Sequence, residues 1–278
     1  MGCHLGRDGD YAGKEEEEII KRAEDTLGFT NLESKELDRT FHRFSTDFKM
    51  TDNQFFTSLE DINVDTKPIR TYDAASPICK FYDEFKDEEN FFHAQRLTCL
   101  GILLGNGAVA DKALVLFENY DMDTSKSISQ QEFLCLLKDL VNISLVWLPK
   151  YAMELCQGDE KMKLQQYIEK LANIKDTLVV YLSQRVNEID DEELSKPLFL
   201  VSFKDEEVKS LLQSHSLRKL ALEKYNDLIA PATLVRAYMR DEHKFNERMK
   251  DPLFRDMLED KLISENMGEL EKEAERKK

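Results

Sequence analysis

The chain has 278 residues, with 39 Lys and Arg against 55 Asp and Glu and a formal net charge of −16. That balance excludes a nucleic-acid binder, which needs a basic face. The scarcity of Gly (10) and Pro (6) leaves few tight turns, so long helices and an all-α fold class are expected, with 41% hydrophobic residues to fill the core.

The chain begins Met1-Gly2-Cys3-His4-Leu5-Gly6. Gly2 is open to myristoylation if Met1 is removed, and Cys3 beside it can take a palmitoyl chain, which together would anchor the protein to a membrane. Gly6 stands where that motif wants Ser or Thr, and the Glu15–Glu18 run would be repelled by anionic lipid. The alternative is therefore an unmodified terminus, and membrane association is expected only if Gly2 and Cys3 are acylated. Glu15–Glu18 reads as a solvated helix start whose apolar face is Ile19, Ile20 and Ala23. The cysteines, Cys3, Cys79, Cys99, Cys135 and Cys156, are odd in number and have no metal-ligand spacing, which suits a reducing cytoplasm. No run of 18 apolar residues occurs, so no transmembrane helix is expected.

From Leu37 a pattern repeats: helix-closing apolar residues, a short polar loop, one apolar residue, then further apolar residues five positions on. The first unit is Phe41 and Phe44, then Met50, then Phe55 and Phe56; the second is Phe81 and Phe85, then Phe91. Leu97 must serve in the second unit because Arg96 falls at the expected apolar position. Gly101 to Gly107 reads as a helix end and hinge, with Asn106-Gly107 as its C-cap. In the third unit Phe117 and Tyr120 precede Ile128 and Phe133; in the fourth Met153 and Cys156 precede Met162 and Tyr167. The loop apolar residues Met50, Phe91, Ile128 and Met162 lie 41, 37 and 34 residues apart.

The third loop, Asp121–Glu132, carries chemistry. Asp121, Asp123 and Ser125 place oxygens at its first, third and fifth positions. Ser127 offers a carbonyl at the seventh, Ser129 can hold a water at the ninth, and Glu132 gives both carboxylate oxygens at the twelfth. A hard divalent cation takes six to eight such oxygens, and the lack of nitrogen or sulfur donors favours Ca2+ over zinc or copper. The alternative is a solvated acidic turn. With Phe117, Tyr120 and Phe133 flanking it, the stretch resembles the EF-hand family of calmodulin, calcineurin B and the neuronal calcium sensors. The family's sixth position is normally Gly, at a sharp turn; here it is Lys126. A β-carbon at positive φ costs roughly 1–2 kcal/mol, so weakened binding is expected.

The resemblance implies four helix–loop–helix units in two lobes: a metal-free pair over 36–105 after an N-terminal segment of 1–35, and a pair over 106–185 holding the one Ca2+ site. It also implies short β-bridges joining Met50 to Phe91 and Ile128 to Met162. Residues 186–278 read as a helical, charged extension: an acidic linker over Glu188–Glu193, a cap at Asp205, a helix start at Pro231. The end from Ser264 either stays solvated or binding another protein, or lies in a lobe's groove as an internal target helix. Ser214-His215-Ser216 reads as an exposed turn, and no catalytic arrangement is apparent, so no enzyme is expected. The expectation is a cytoplasmic calcium-binding regulatory or adaptor protein that binds an amphipathic partner helix, with membrane or cytoskeletal association as a variant. The alternative is a calcium-independent, light-chain-like clamp in a larger assembly.

Overall fold

The computed structural model describes residues 13–71, 73, 75–186 and 193–225. Gly2 and Cys3, the acidic linker up to Glu192, the helix start at Pro231 and the C-terminal tail lie outside them. The described residues are mostly helical, as expected, and their strands are short. In order the elements are α1 (Lys14–Thr26), α2 (Ser34–Phe44), β1 (Lys49–Met50), α3 (Asp52–Asp61), α4 (Lys67–Arg70) and α5 (Pro77–Asp83). β2 (Phe92–His93), α6 (Ala94–Leu104), α7 (Val109–Tyr120), β3 (Ser127–Ser129) and α8 (Gln130–Asn142) follow. The rest are α9 (Leu148–Leu155), α10 (Asp159–Val186), β4 (Glu193–Ser195), α11 (Lys196–Ser202), α12 (Glu206–Lys209) and α13 (Ser214–Lys224).

The first two helix–loop–helix units, α2-β1-α3 and α5-β2-α6, meet through antiparallel β1 and β2. Met50 lies opposite Phe92, one residue later than the expected Phe91. The Asp87 carboxylate accepts the Glu89 and Phe91 amides at 2.9 Å, and Asp87 N–H donates to Phe91 O, so the turn takes up one more residue. Phe92 is buried with its ring stacked 4.0 Å from Phe55. The five-residue step then runs from Phe92 to the fully buried Leu97, which resolves the difficulty at Arg96.

The expected contact of Ile128 with Met162 is not formed. β3 pairs antiparallel with β4, setting Ile128 opposite Leu194, 66 residues away. Met162 is 64% exposed in the first turn of α10. No strand arises there because Leu164, Tyr167, Leu171, Ile174, Leu178 and Leu182 form one buried stripe at helical spacing, which keeps α10 continuous. The step of five recurs from Leu194 to Phe199, and the Phe199 ring lies between Phe117 and Phe133 at 5.5 and 6.3 Å. The unit facing the third loop is therefore the C-terminal part of α10 with β4 and α11.

Between the third unit and its partner the chain inserts the α9 segment. The helical rod that begins with α8 widens into a π turn over Ile143–Trp147 and continues as α9. Pro149 explains the widening, since it donates no amide hydrogen bond and its ring would clash with the carbonyl of Leu145. Gly158, at φ 61, follows the end of α9.

α1 is fastened by a buried ionic clasp. Ile19, Ile20 and Ala23 are buried and Glu15 and Glu18 exposed, as expected, but Glu17 departs from the solvated acidic start: it is buried, as is Glu24 further along the helix. Arg218 of α13, fully buried, grips Glu17 through Nε and Nη2 at 2.8 and 2.9 Å and Glu24 through Nη1 at 2.9 Å. The Tyr167 hydroxyl donates to Glu17, His215 bonds it at 2.8 Å, and Ser214 Oγ donates to Glu24 at 2.8 Å. Ser214 and His215 thus open α13 rather than an exposed turn. The expected hinge is also fastened. α6 is capped by Gly105 rather than by Asn106-Gly107, Asn106 N–H donates to Leu32 O at 2.7 Å, and Asn106 O accepts Ser34 N–H at 2.9 Å. A β-carbon on Gly105 would come within 2.5 Å of Gly101 O, so only glycine fits that crossing. Lys112 completes the joint by donating to the carbonyls of Ile102, Gly105 and Leu212 at 2.7, 2.7 and 3.1 Å.

Two predictions follow from these contacts. In urea unfolding, Leu194→Ala loses about 2–5 kcal/mol, whereas Met162→Ala changes stability by no more than about 0.5 kcal/mol; equal losses would contradict the pairing. Burial pushes the Glu17 carboxyl up, but the His215 hydrogen bond and the Arg218 charge outweigh it and hold the pKa at about 2 against an ordinary 4.5. A depressed carboxylate contributes fully above the unfolded value and loses its contribution as pH falls through the folded one. About 3 kcal/mol of stability is therefore lost between pH 4.5 and 2, and Glu17→Gln flattens that part of the stability–pH curve.

Candidate metal centre

α7 leads into the Asp121–Glu132 loop by burying Ala113, Leu116, Phe117 and Tyr120 on one face. Asp121 is its C-cap residue, with its N–H donating to Phe117 O at 2.9 Å. The loop then turns through two left-handed residues, Thr124 at φ 57 and Lys126 at φ 69. Lys126 thus adopts, at the sixth position, the conformation that glycine would take without strain. Its amide donates to Asp121 Oδ2 at 3.1 Å, and the Ser125 amide donates to Asp123 Oδ1 at 3.0 Å. Hydrogen bonding by Ser125 holds the Asp123 carboxyl below its ordinary pKa.

The oxygens of the first, fifth and seventh positions converge. Ser125 Oγ lies 3.4 Å from Asp121 Oδ1 and 3.0 Å from the Ser127 carbonyl oxygen. Ser127 Oγ donates to Glu193 Oε2 of the facing strand at 2.6 Å. Ile128 then enters the core, fully buried. Ser129 and Glu132 form a capping box at the start of α8: Glu132 Oε2 accepts the Ser129 amide at 2.8 Å and its hydroxyl at 2.7 Å. Glu132 Oε1 faces the loop entrance, 3.4 Å from the Met122 amide.

The donors are hard oxygens throughout, as calcium requires. Among the described residues no three His, Cys, Asp or Glu side chains gather closely enough to hold a metal ion. Asp121, Ser125 and Ser127 therefore form the converged half of the set, while Asp123 bonds its own loop amide and Glu132 and Ser129 bond each other.

In the first pair, acids near the ribbon are met by ammonium groups. Lys49 Nζ lies 3.0 Å from Asp87 Oδ2 and 2.6 Å from Glu89 Oε2, and Lys86 Nζ lies 3.1 and 3.2 Å from Asp52 and Asp83. Gln54, at the position equivalent to Glu132, joins Thr51 in the same kind of capping box.

Beside the third loop runs a cleft whose lining includes Arg96, Tyr120, Glu132, Cys135 and Asp139. Asp139 accepts Tyr120 OH at 2.7 Å and pairs with Arg96 Nε at 3.3 Å. Burial raises the Asp139 carboxyl pKa against these partners. Sequence reasoning missed this link, along with Glu193, Leu194 and Phe199; the only available signal was the five-residue step from Leu194 to Phe199. No family model, curated protein or solved structure matches the chain.

Proposed function

We propose that the chain is an EF-hand-type calcium-binding regulatory or adaptor protein, not an enzyme, with four helix–loop–helix units and one ion site at Asp121–Glu132. The observation that carries the reading is the loop itself: oxygen donors at alternate positions, a left-handed sixth residue, and a buried eighth residue bridged to a neighbouring strand. The ion would be held by Asp121, Asp123, Ser125, the Ser127 carbonyl and Glu132, with Ser129 acting through water. Bound calcium would supply the positive charge that offsets these carboxylates. Glu132 has two competing uses, capping α8 and closing the ion site, and the exchange between them is what alters the start of α8. The partner is an amphipathic helix or a larger assembly. Among the described residues no helix is long and apolar enough to cross a membrane.

A second reading, a calcium-independent structural clamp, is favoured by the lysine-neutralised acids of the first pair and by the capping box that already employs Glu132. Calorimetric calcium titration in a magnesium background separates the two. The calcium reading predicts one site, lost in Glu132→Gln. Because Lys126 already holds the left-handed conformation, Lys126→Gly is expected to raise stability to urea unfolding by about 1 kcal/mol. Absence of heat in every variant would leave only the clamp.

A further inference from the structure

The insert between the third unit and its partner carries a helix that docks on the first pair. Phe81 and Phe85 on and just after α5 face Tyr151 and Trp147 at ring-centroid distances of 5.1 and 4.9 Å. Lys150 Nζ lies 2.8 Å from Glu84 Oε1, and Lys80 Nζ lies 3.1 Å from Glu154 Oε2. In each set the earlier residue of one segment meets the later residue of the other, so the two run antiparallel with aromatics and charges in register. Tyr151 OH also bonds Thr26 Oγ1 of α1 at 2.8 Å. Aromatic anchors one turn apart, bordered by complementary charges, are the signature of a helix seated on a receptor face.

The same rod starts at the candidate ion site. Glu132 lies in the first turn of α8, Asp139 ties that helix to α6 through Arg96, and the π turn leads to Trp147 and α9. We propose that α9 is an in-chain strap covering the aromatic face of the first pair, and that the Asp121–Glu132 loop sets its grip through α8 and the π turn. This inference rests on the calcium reading. A partner helix that takes the place of α9 presents aromatics at i and i+4, a basic residue at i+3 and an acidic residue at i+7, as Trp147, Tyr151, Lys150 and Glu154 do.

Trp147 is the only tryptophan in the full chain and therefore reports on the strap directly. Calcium is titrated into the intact protein by calorimetry while Trp147 emission and acrylamide quenching are recorded. The strap predicts a red-shifted, more quenchable Trp147 with the same midpoint as the heat, both lost in Glu132→Gln. Because coupling is reciprocal, Tyr151→Ala, which weakens the strap, raises calcium affinity by about fivefold or more. Lys150→Glu, a rim change that leaves the aromatic contacts in place, moves affinity in the same direction and serves if Tyr151→Ala does not fold. Calcium heat with an unmoved Trp147 and unchanged affinity in the variants overturns the strap and leaves the calcium reading standing. No heat and no emission change overturns both.

Discussion

A strand of two or three residues leaves its amide and carbonyl groups unpaired unless another strand lies against it, and a buried residue on it needs that partner most. This constraint organises the second half of the molecule. Ile128, fully buried in the third loop, must face a strand, and the chain supplies Leu194 after a long insert. Fixing that pair also brings Phe199 between Phe117 and Phe133, so the core of the unit depends on the same ribbon. The third loop owes its shape to it as well, since Ser127 and Ser129 are held at the strand's ends opposite Ser195 and Glu193.

The insert is what makes this chain more than two bridged pairs. Its rod passes from α8 to α9 and places Trp147 and Tyr151 on the first pair, and α10 returns the chain to β4. Burying Arg218 with Glu17 and Glu24 is costly in desolvation and is repaid only by near-complete hydrogen bonding. The geometry supplies it: two bonds to Glu17, one to Glu24, and further bonds to these carboxylates from Tyr167, His215 and Ser214. The clasp gives α1 one defined seat. Lys112 is a similar case with no carboxylate of the described residues at bonding distance: burial lowers its pKa to about 8, against the pull of Glu33, and its ammonium spans three carbonyls at the joint between α6 and the segment after α12.

Local features were legible in the sequence. The helical class, the apolar face of α1, the Asp205 cap, the burial of Ile128 and the sharp turn at Lys126 all follow from nearby residues. What depended on distant partners was not. The insert breaks the period of the repeats, and Met162 followed by Tyr167 imitates the five-residue step although both lie on one uninterrupted helix. Glu17 looks like any residue of an acidic run until Arg218, 201 positions later, is brought against it. At the candidate site the residue types were legible, but the capping of α8 by Glu132 was not, because Ser-x-x-Glu serves a helix cap and an ion loop equally well.

The proposed ion site is the Asp121–Glu132 loop, alone among the loops of the described residues. Anomalous diffraction from crystals of the full chain grown with calcium tests it most directly. The account predicts a single anomalous peak enclosed by Asp121, Asp123, Ser125, the Ser127 carbonyl and Glu132, with Glu132 turned from Ser129 toward the ion. No peak at the loop, or a peak among Asp87, Glu89 and Lys49 of the first pair, would contradict it.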